Sequence, residues 1–576
     1  MVLPCLISED EHLLAVNKPA GMNTHAPCPY AGEGIYEWLR HREPRWARLA
    51  IIHRLDKETS GVIVFSRTEL ANRSLTGQFT QSTVRKRYLL MTDRAVRRKA
   101  LTVRSAVVRV GERYAVRPVH AGAEAAETRF RVIDSDGDRT VLEAEPVTGK
   151  THQIRVHAAA NGFPILGDTL YGGTAAGRVH LHAEQVTLRH PATGLETTIT
   201  APADFSADAL LALRLALVDP EDTNAYRLIH GASDGWPGWY VDRLGDFLVS
   251  QSEGDLNDAQ RRKLAEWLEA FGLQGAFHKI LDRQVRKTSI AQASPRPVLG
   301  AAAPEEFLVR ENGLRFTVSF REGYSVGLFL DQRENRRRLL TGYVAPAFLL
   351  RGGAKDNPPP IPPREGSVLS IPDERLRSWE GSGLGSCLSV PSRPLAGMEI
   401  LNTFAYTCGF STCAARAGAR ATSLDLSRKY LEWGKRNFEM NGLDPAEHEF
   451  IYGDVFDWVR RFAKKGREFD LVVLDPPTFS QSKGQGVFQA GKDYARLVKS
   501  AMALLKPDGV LFASTNAGQL APEKFVSDLT AAIQSTSSKL VQQQFLPQPP
   551  DFPTSAAEPA YLKTMWMRIG RGAGAR

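Results

Sequence analysis

From residue 398 onward the chain alternates short apolar runs with amphipathic stretches at a regular interval, and nothing else in it constrains the architecture as strongly. Residues 398–401, 421–424, 449–452, 471–474 and 510–513 read as strands, and 411–417, 428–440 and 494–505 carry helical periodicity. Strand and helix alternating on this spacing predict an open, mostly parallel sheet with helices on both faces, an α/β doubly wound (Rossmann-like) domain. Asp425, Asp454 and Asp475 each close a predicted strand. Such sheets bind ligands at the carboxyl ends of their strands.

The first third is patterned differently. Ile51-Ile52-His53-Arg54-Leu55-Asp56-Lys57-Glu58-Thr59-Ser60-Gly61 interrupts an apolar run with a turn, and Val62-Ile63-Val64-Phe65 resumes it as a strand. Asp56 stands at the break, two residues past Arg54. A loop acid between strands is either a turn cap paired with a neighbour or a reactive carboxylate on a rigid scaffold. A second stretch, Gly149-Lys150-Thr151-His152-Gln153-Ile154-Arg155-Val156-His157, supplies a guanidinium, and residues 164–172 follow it. Short β-rich runs at 13–16 and 141–144, with a helical pattern at 69–79, predict an α+β domain on mixed or antiparallel sheet.

Together these two stretches resemble the RluA-type pseudouridine synthases, in which the Asp of a His-Arg-Leu-Asp motif is catalytic; that position is Asp56. Lys18-Pro19-Ala20-Gly21, Lys86-Arg87-Tyr88, Leu181-His182-Ala183 and His190-Pro191 follow the family's order, so the resemblance covers roughly residues 5–203. It implies isomerisation of a flipped uridine in RNA without a cofactor. Asp56 would attack C1′ or take the 2′ proton. Arg155 is the expected partner of Asp56, since a neighbouring guanidinium keeps a carboxylate charged. Tyr88 is expected to stack near the target base and Ile154 to wall the pocket. His53, His152 and His157 lack acidic or Cys companions at ligand spacing, which predicts structural hydrogen bonding and no metal.

At 576 residues the chain has room for several domains, and 43% hydrophobic with 24% charged residues describes soluble, globular material. No run approaches a membrane span, and Glu9-Asp10-Glu11 precedes any long apolar segment, so neither a membrane nor a secretory signal is expected. Five cysteines without a CxxC pair predict reduced thiols in a cytoplasmic protein. Of the net charge of +9, the larger share falls in residues 1–200, with 27 Lys+Arg against 21 Asp+Glu. Arg85-Lys86-Arg87, the 94–99 segment and Arg104, Arg109 and Arg113 concentrate it. Beside a uridine-modifying motif, such a surplus points to tracking of RNA phosphates.

The expected layout is a synthase domain over 1–203, a helical connector over 204–224 and a small α+β RNA-gripping region over 225–342. A Pro/Gly/Ser-rich insertion without sustained period follows over 343–394, then the α/β domain over 395–576.

In that last domain Phe404-Ala405-Tyr406-Thr407-Cys408-Gly409-Phe410 links a strand to a helix without a GxGxxG fingerprint, so a dinucleotide site is not supported. With the acid series and Asp475-Pro476-Pro477-Thr478-Phe479-Ser480, it resembles class I S-adenosylmethionine-dependent methyltransferases. The wider stretch from Asp331-Gln332-Arg333 is similar to bacterial large-subunit ribosomal RNA methyltransferases. The resemblance implies S-adenosylmethionine held by Phe404, Ala405, Thr407 and Gly409, with Asp425 at its ribose and Asp454 near its adenine. Asp475 and Pro476 would face the methyl donor and the base. Relatives include cytosine-C5 and guanine-N7 enzymes. C5 chemistry needs a thiolate, yet the late strand runs into Ser514-Thr515-Asn516, while Cys408 and Cys413 belong to the cofactor loop and the following helix. The Asp-Pro-Pro-Thr-Phe-Ser form, with the Ser-Thr-Asn segment, resembles the guanine-N7 relatives more closely, which implies guanine N7 as the favoured target and disfavours cytosine C5. The expectation is a bifunctional RNA-modifying enzyme; the alternative is one catalytic half with the other as an RNA-docking module.

Overall fold

The computed structural model describes residues 3–571 except 121–123, 282–292, 324, 352–392 and 483–485. Most of the expected 343–394 insertion lies outside the described residues.

The chain from Leu6 to Thr200 forms one eleven-stranded sheet, antiparallel except where the strand Ser60–Ser66 runs parallel to Leu181–Arg189. Ser60–Ser66 is buried on both faces, which explains its unbroken apolar run. Ile63 and Phe65 join one core with Leu14 and Val16, and Val62 and Val64 join another with Leu13 and Ala15. Gly61 sits at the parallel junction with φ of 116°, and a Cβ there would lie 2.2 Å from the Ala183 carbonyl oxygen. Helix α1 (Ile35–Arg42) and helix α2 (Gln153–Ala160) pack on this sheet.

Helix α3 (Ala209–Leu217), started by the Asp208 side chain, falls within the expected connector, but it is no free tether. Leu213 and Leu217 enter the core of the first sheet, while Leu210 and Leu211 pack on the core of the next. Arg214, fully buried between them, donates to Asp234 at 2.5 and 3.1 Å.

A five-stranded sheet from Ala225 to Gly300 and the hairpin Phe307–Glu311/Leu314–Val318 follow. Helix α4 (Arg333–Thr341) then leads into a short hairpin, Tyr343–Ala345 with Phe348–Leu349. The segment expected to begin the insertion is thus partly core: Tyr343, Val344, Ala345, Phe348 and Leu350 are buried. Leu350 and Leu395 share a core cluster with Phe316, Ile400 and Trp566, so apolar packing is continuous from one side of the undescribed segment to the other.

The last domain is a seven-stranded sheet. Its strands are β1 (Glu399–Thr403), β2 (Arg420–Asp425), β3 (Glu449–Tyr452), β4 (Phe469–Leu474), β5 (Leu505–Thr515), β6 (Ser538–Pro547) and β7 (Lys563–Arg571). They stand in the order β3-β2-β1-β4-β5-β7-β6, with β1 to β5 parallel and β7 antiparallel to both of its neighbours. The strand order reverses between β1 and β4, which opens a crevice at their carboxyl ends. Helix α5 (Gly409–Arg416) leaves β1, and helix α6 (Arg428–Met440) leaves β2.

Candidate active sites

Asp56 lies on the loop entering Ser60–Ser66, and two buried groups, Lys18 and Thr24, fix that loop. The Lys18 ammonium donates to the carbonyls of Pro19, Met22 and Lys57 at 2.9, 2.7 and 3.3 Å. Thr24 Oγ1 donates to the Leu55 carbonyl at 2.9 Å and accepts the Leu55 N–H at 3.0 Å. Arg54 points to solvent, and the ion-pair partners of Asp56 among the described residues are Arg155 (Nη1, 3.7 Å) and His152 (Nε2, 3.8 Å).

Arg155, buried on α2, is itself anchored. Its Nε and Nη2 donate to the two carboxylate oxygens of Asp168 at 2.7 and 2.8 Å, and Nη1 reaches Glu58 at 3.3 Å. Burial opposes its charge, but Asp168, Glu58 and Asp56 outweigh that and raise its pKa. Asp168 is 1% exposed and was visible in sequence only as part of a Gly-Asp turn.

The three histidines divide. His53 Nε2 accepts the Val64 N–H at 3.0 Å and its ring stacks on Phe79; burial, then Lys86, pushes its pKa down to about 3. His157 bridges Ser105 and Thr128, both at 2.9 Å. These two bond structurally, but His152 does more. It has φ of 55°, bonds Tyr171 Oη through Nδ1 at 2.7 Å, and faces Asp56 with Nε2. Because Tyr171 Oη already accepts the Tyr114 N–H, its own proton is free to go to His152 Nδ1. Nε2 is turned toward Asp56 at 3.8 Å, beyond hydrogen-bond length. Tyr88 pairs with Ala183 and Ala144 in the sheet; burial and then nearby Asp56 raise its pKa, which keeps the phenol protonated. Ile154 is buried in a cluster that Tyr88 packs against.

In the last domain, the loop between β1 and α5 places Phe404, Tyr406 and Cys408 at φ of 55°, 49° and 61°. The loop's N–H groups turn into the fold: those of Ala405, Tyr406 and Cys408 donate to the Leu424 carbonyl, the Asp425 carboxylate and the Ala405 carbonyl. Ala405 and Thr407 are buried between them, and Gly409 opens the helix. Asp425, half-buried at the end of β2, accepts the N–H groups of Tyr406 and Ser427, both at 2.8 Å. Burial raises its pKa and those bonds oppose the rise. Two carboxylate oxygens with one backbone bond each retain acceptor capacity for ligand hydroxyls. Asp454 caps the helix Val455–Lys464, accepting from Phe456 and Asp457.

Asp475 follows β4 beside buried Pro476 and gathers residues of the Asp331-Gln332-Arg333 and Ser514-Thr515-Asn516 stretches. Gln332 Nε2 donates to Asp475 Oδ1 at 3.2 Å and Ser514, from β5, donates to the same oxygen. Asn335 holds the Gln332 amide through its carbonyl oxygen at 2.7 Å. Burial pushes the Asp475 pKa up to about 6, opposed by the Ser514 bond. Tyr494 Oη ties β4 to β5 through the carbonyls of Leu474 and Ser514 at 3.1 and 2.7 Å. Cys408 and Cys413 are fully buried; burial pushes the Cys408 thiol up to about 12 and raises that of Cys413 further. Among the described residues no group of three or more His, Cys, Asp or Glu could hold a metal ion, and no helix is long and apolar enough to cross a membrane.

Comparison with known proteins agrees with this division. Residues 12–160 match the RNA pseudouridylate synthase family, and residues 390–568 match the S-adenosylmethionine-dependent methyltransferase family. Ribosomal RNA large subunit methyltransferase I of Erwinia tasmaniensis is 30% identical over 62% of this chain and 76% of its own length. A ribosomal RNA large subunit methyltransferase of Deinococcus radiodurans is 29% identical over 63% of this chain and 78% of its own. A solved methyltransferase complexed with SAH aligns at 27% identity and a TM-score of 0.46, over 60% of this chain and 76% of that one. The chain is a pseudouridine synthase joined to an S-adenosylmethionine-dependent methyltransferase. It belongs through its first part to the RNA pseudouridylate synthases, and through the remainder to the family of ribosomal RNA large subunit methyltransferase I. S-adenosylmethionine is the cofactor of the second half, and the residues around Asp425 fit it: a partly exposed carboxylate with spare acceptor capacity at the end of β2, beside the tight loop that leaves β1.

Proposed function

We propose that the chain modifies large-subunit ribosomal RNA twice, converting a uridine to pseudouridine and methylating a guanine at N7. The first reaction is supported by Asp56, locked beside Arg155 and His152 at 3.7 and 3.8 Å. Asp56 presents an ionised carboxylate to the ribose of a flipped uridine, attacking C1′ or taking the 2′ proton. Arg155 keeps it charged, Tyr88 stacks near the base and Ile154 walls the pocket. Exposed Arg94, Arg97, Arg98 and Lys99 offer contacts for phosphates.

For the second reaction, the choice of nitrogen is carried by the absence of a usable thiol among the described residues. At the end of β5, Ser514 rather than a cysteine adjoins Asp475, and Cys408 and Cys413 are buried with raised pKa values. When bound, S-adenosylmethionine supplies an electrophilic methyl group. Phe404, Ala405, Thr407 and Gly409 frame it, Asp425 takes the ribose hydroxyls, and Asp454 lies by the adenine. Asp475 and Pro476 position the base, since a ring nitrogen with its own lone pair needs only alignment. Residues 225–342 grip the RNA. The large-subunit target is supported by the names of the relatives.

The test is to map pseudouridine and methylated bases in total RNA from a deletion strain, then complement with Asp56→Ala and Asp475→Ala separately. Each variant is expected to restore only the other half's mark. Restoration of every pseudouridine by Asp56→Ala would make the first half a docking module. A lost mark of 5-methylcytosine would overturn the N7 assignment.

A further inference from the structure

Helix α4 has the sequence Arg-Glu-Asn-Arg-Arg-Arg-Leu-Leu-Thr, yet residues 333–339 are all buried. The side chains that bury it are of two origins. Within the methyltransferase half, Arg333 is held by Asp551 at 2.6 and 2.8 Å, and Arg336 by Glu311 at 2.6 and 2.7 Å. A second set of partners comes from the synthase half, about 300 positions away. Arg42 Nη1 lies 3.3 and 3.4 Å from the two oxygens of Glu334. Arg337 donates to Glu334 at 2.9 Å, to the His41 carbonyl at 2.8 Å, and to the Arg42 carbonyl. Tyr343 Oη donates to the Arg40 carbonyl at 2.6 Å.

The carbonyls of Arg40, His41 and Arg42 belong to the last turn of α1, where carbonyls lack intrahelical partners and the helix dipole favours a cation. Here Tyr343 and Arg337 cap them. The first turn of α4, which carries Glu334, also meets the proposed methyl-transfer site. Asn335, next to Glu334, fixes the Gln332 amide, and Gln332 donates to Asp475 and Ser514. One helix is therefore clamped by the synthase at Glu334 and Arg337, and it carries the contact to Asp475 one turn away.

We propose that the synthase half positions the methyltransferase site: Arg42 and the end of α1 hold α4 in the register that sets Gln332 against Asp475. Arg42 is a positioning residue, acting through Glu334. Charged groups facing Glu334 from every packed element are Arg42 of α1 and Arg333, Arg337 and Arg338 of α4 itself. Those on α4 move with it, so among the described residues Arg42 ties the carboxylate to the other half. The loop of Asp56 is fixed by Lys18 and Thr24 instead, and pseudouridine formation is independent of the clamp. The inference rests on the proposed place of Asp475 in methyl transfer.

The experiment uses the full chain, with total RNA from the deletion strain as substrate, and reads both marks together with S-adenosylmethionine affinity by calorimetry. Arg42→Met is expected to lower kcat for methyl transfer about tenfold while KM and affinity for S-adenosylmethionine, and pseudouridine formation, stay within about twofold. Arg42→Lys should recover part of the loss, and Tyr343→Phe should shift kcat in the same direction. Glu334→Gln probes the contact from the other side should Arg42→Met fold poorly. Unchanged kcat in Arg42→Met and Glu334→Gln overturns the proposal, as does a fall in both marks together. Asp475→Asn separates the two claims. If it methylates normally, the site reading fails; if it is inactive while Arg42→Met is normal, only the clamp fails.

Discussion

The Arg155 guanidinium gives two nitrogens to Asp168, at 2.7 and 2.8 Å, and turns the third toward Asp56, 3.7 Å away. Asp56 is thus steadied by an arginine whose own position is set by a second, fully buried acid. Arg155 is shared between the two acids and Glu58, so its effect on Asp56 depends on residues outside the signature motif.

Asp168→Ala leaves Arg155 buried without its bidentate partner. Breaking a buried pair in this way costs about 3–5 kcal/mol. Urea denaturation of the full chain should show that loss in the transition of the synthase half. Pseudouridine formation should fall with it, while methylation persists.

The Asp475 carboxyl, pushed from 3.8 to about 6, binds its proton more readily in the folded chain than in the unfolded one. Its contribution to stability is therefore fully present below about pH 4 and is lost as pH rises through 6. Asp475→Asn should stabilise the fold by about 2–3 kcal/mol at pH 8 and by almost nothing at pH 4. Denaturation at the two pH values checks this. Methyl transfer by the parent chain should decline below about pH 6 as Asp475 takes up its proton.

Cys408 packs against Gly434, where an added Cβ would lie 2.3 Å from its sulfur, and its thiol is far from ionising at neutral pH. Cys408→Ser and Cys413→Ser should each retain methyl transfer to within about threefold, because neither acts as a nucleophile. A loss of two or more orders of magnitude in either, with S-adenosylmethionine still bound, would return the C5 mechanism to consideration.

Gly61 combines φ of 116° with the Ala183 carbonyl in the space a side chain would occupy. Gly61→Ala forces apart the parallel strands that flank the Asp56 loop and should cost about 3 kcal/mol or more. Thermal unfolding should locate the damage in the synthase half, with pseudouridine formation lost at temperatures the parent chain tolerates.

Local periodicity determined a great deal. The helices expected at 69–79 and 428–440 are Glu69–Thr80 and Arg428–Met440, and the strand expected at 449–452 is Glu449–Tyr452. Burial of one face writes itself into neighbouring positions, so these elements and the acids at the ends of β2 and β4 were legible from the chain alone. Asp56 and Arg155 were legible too, through their motifs. What only the tertiary structure decided is which distant groups meet. Asp168 grips Arg155, His152 turns to Asp56, and Gln332 and Ser514 converge on Asp475. Composition does not tell whether the charges of residues 333–338 pair with water or with a distant partner. In the fold they are interior, matched to Asp551, Glu311 and the end of α1. Pairing across hundreds of residues is a property of the closed fold and leaves no period in the sequence.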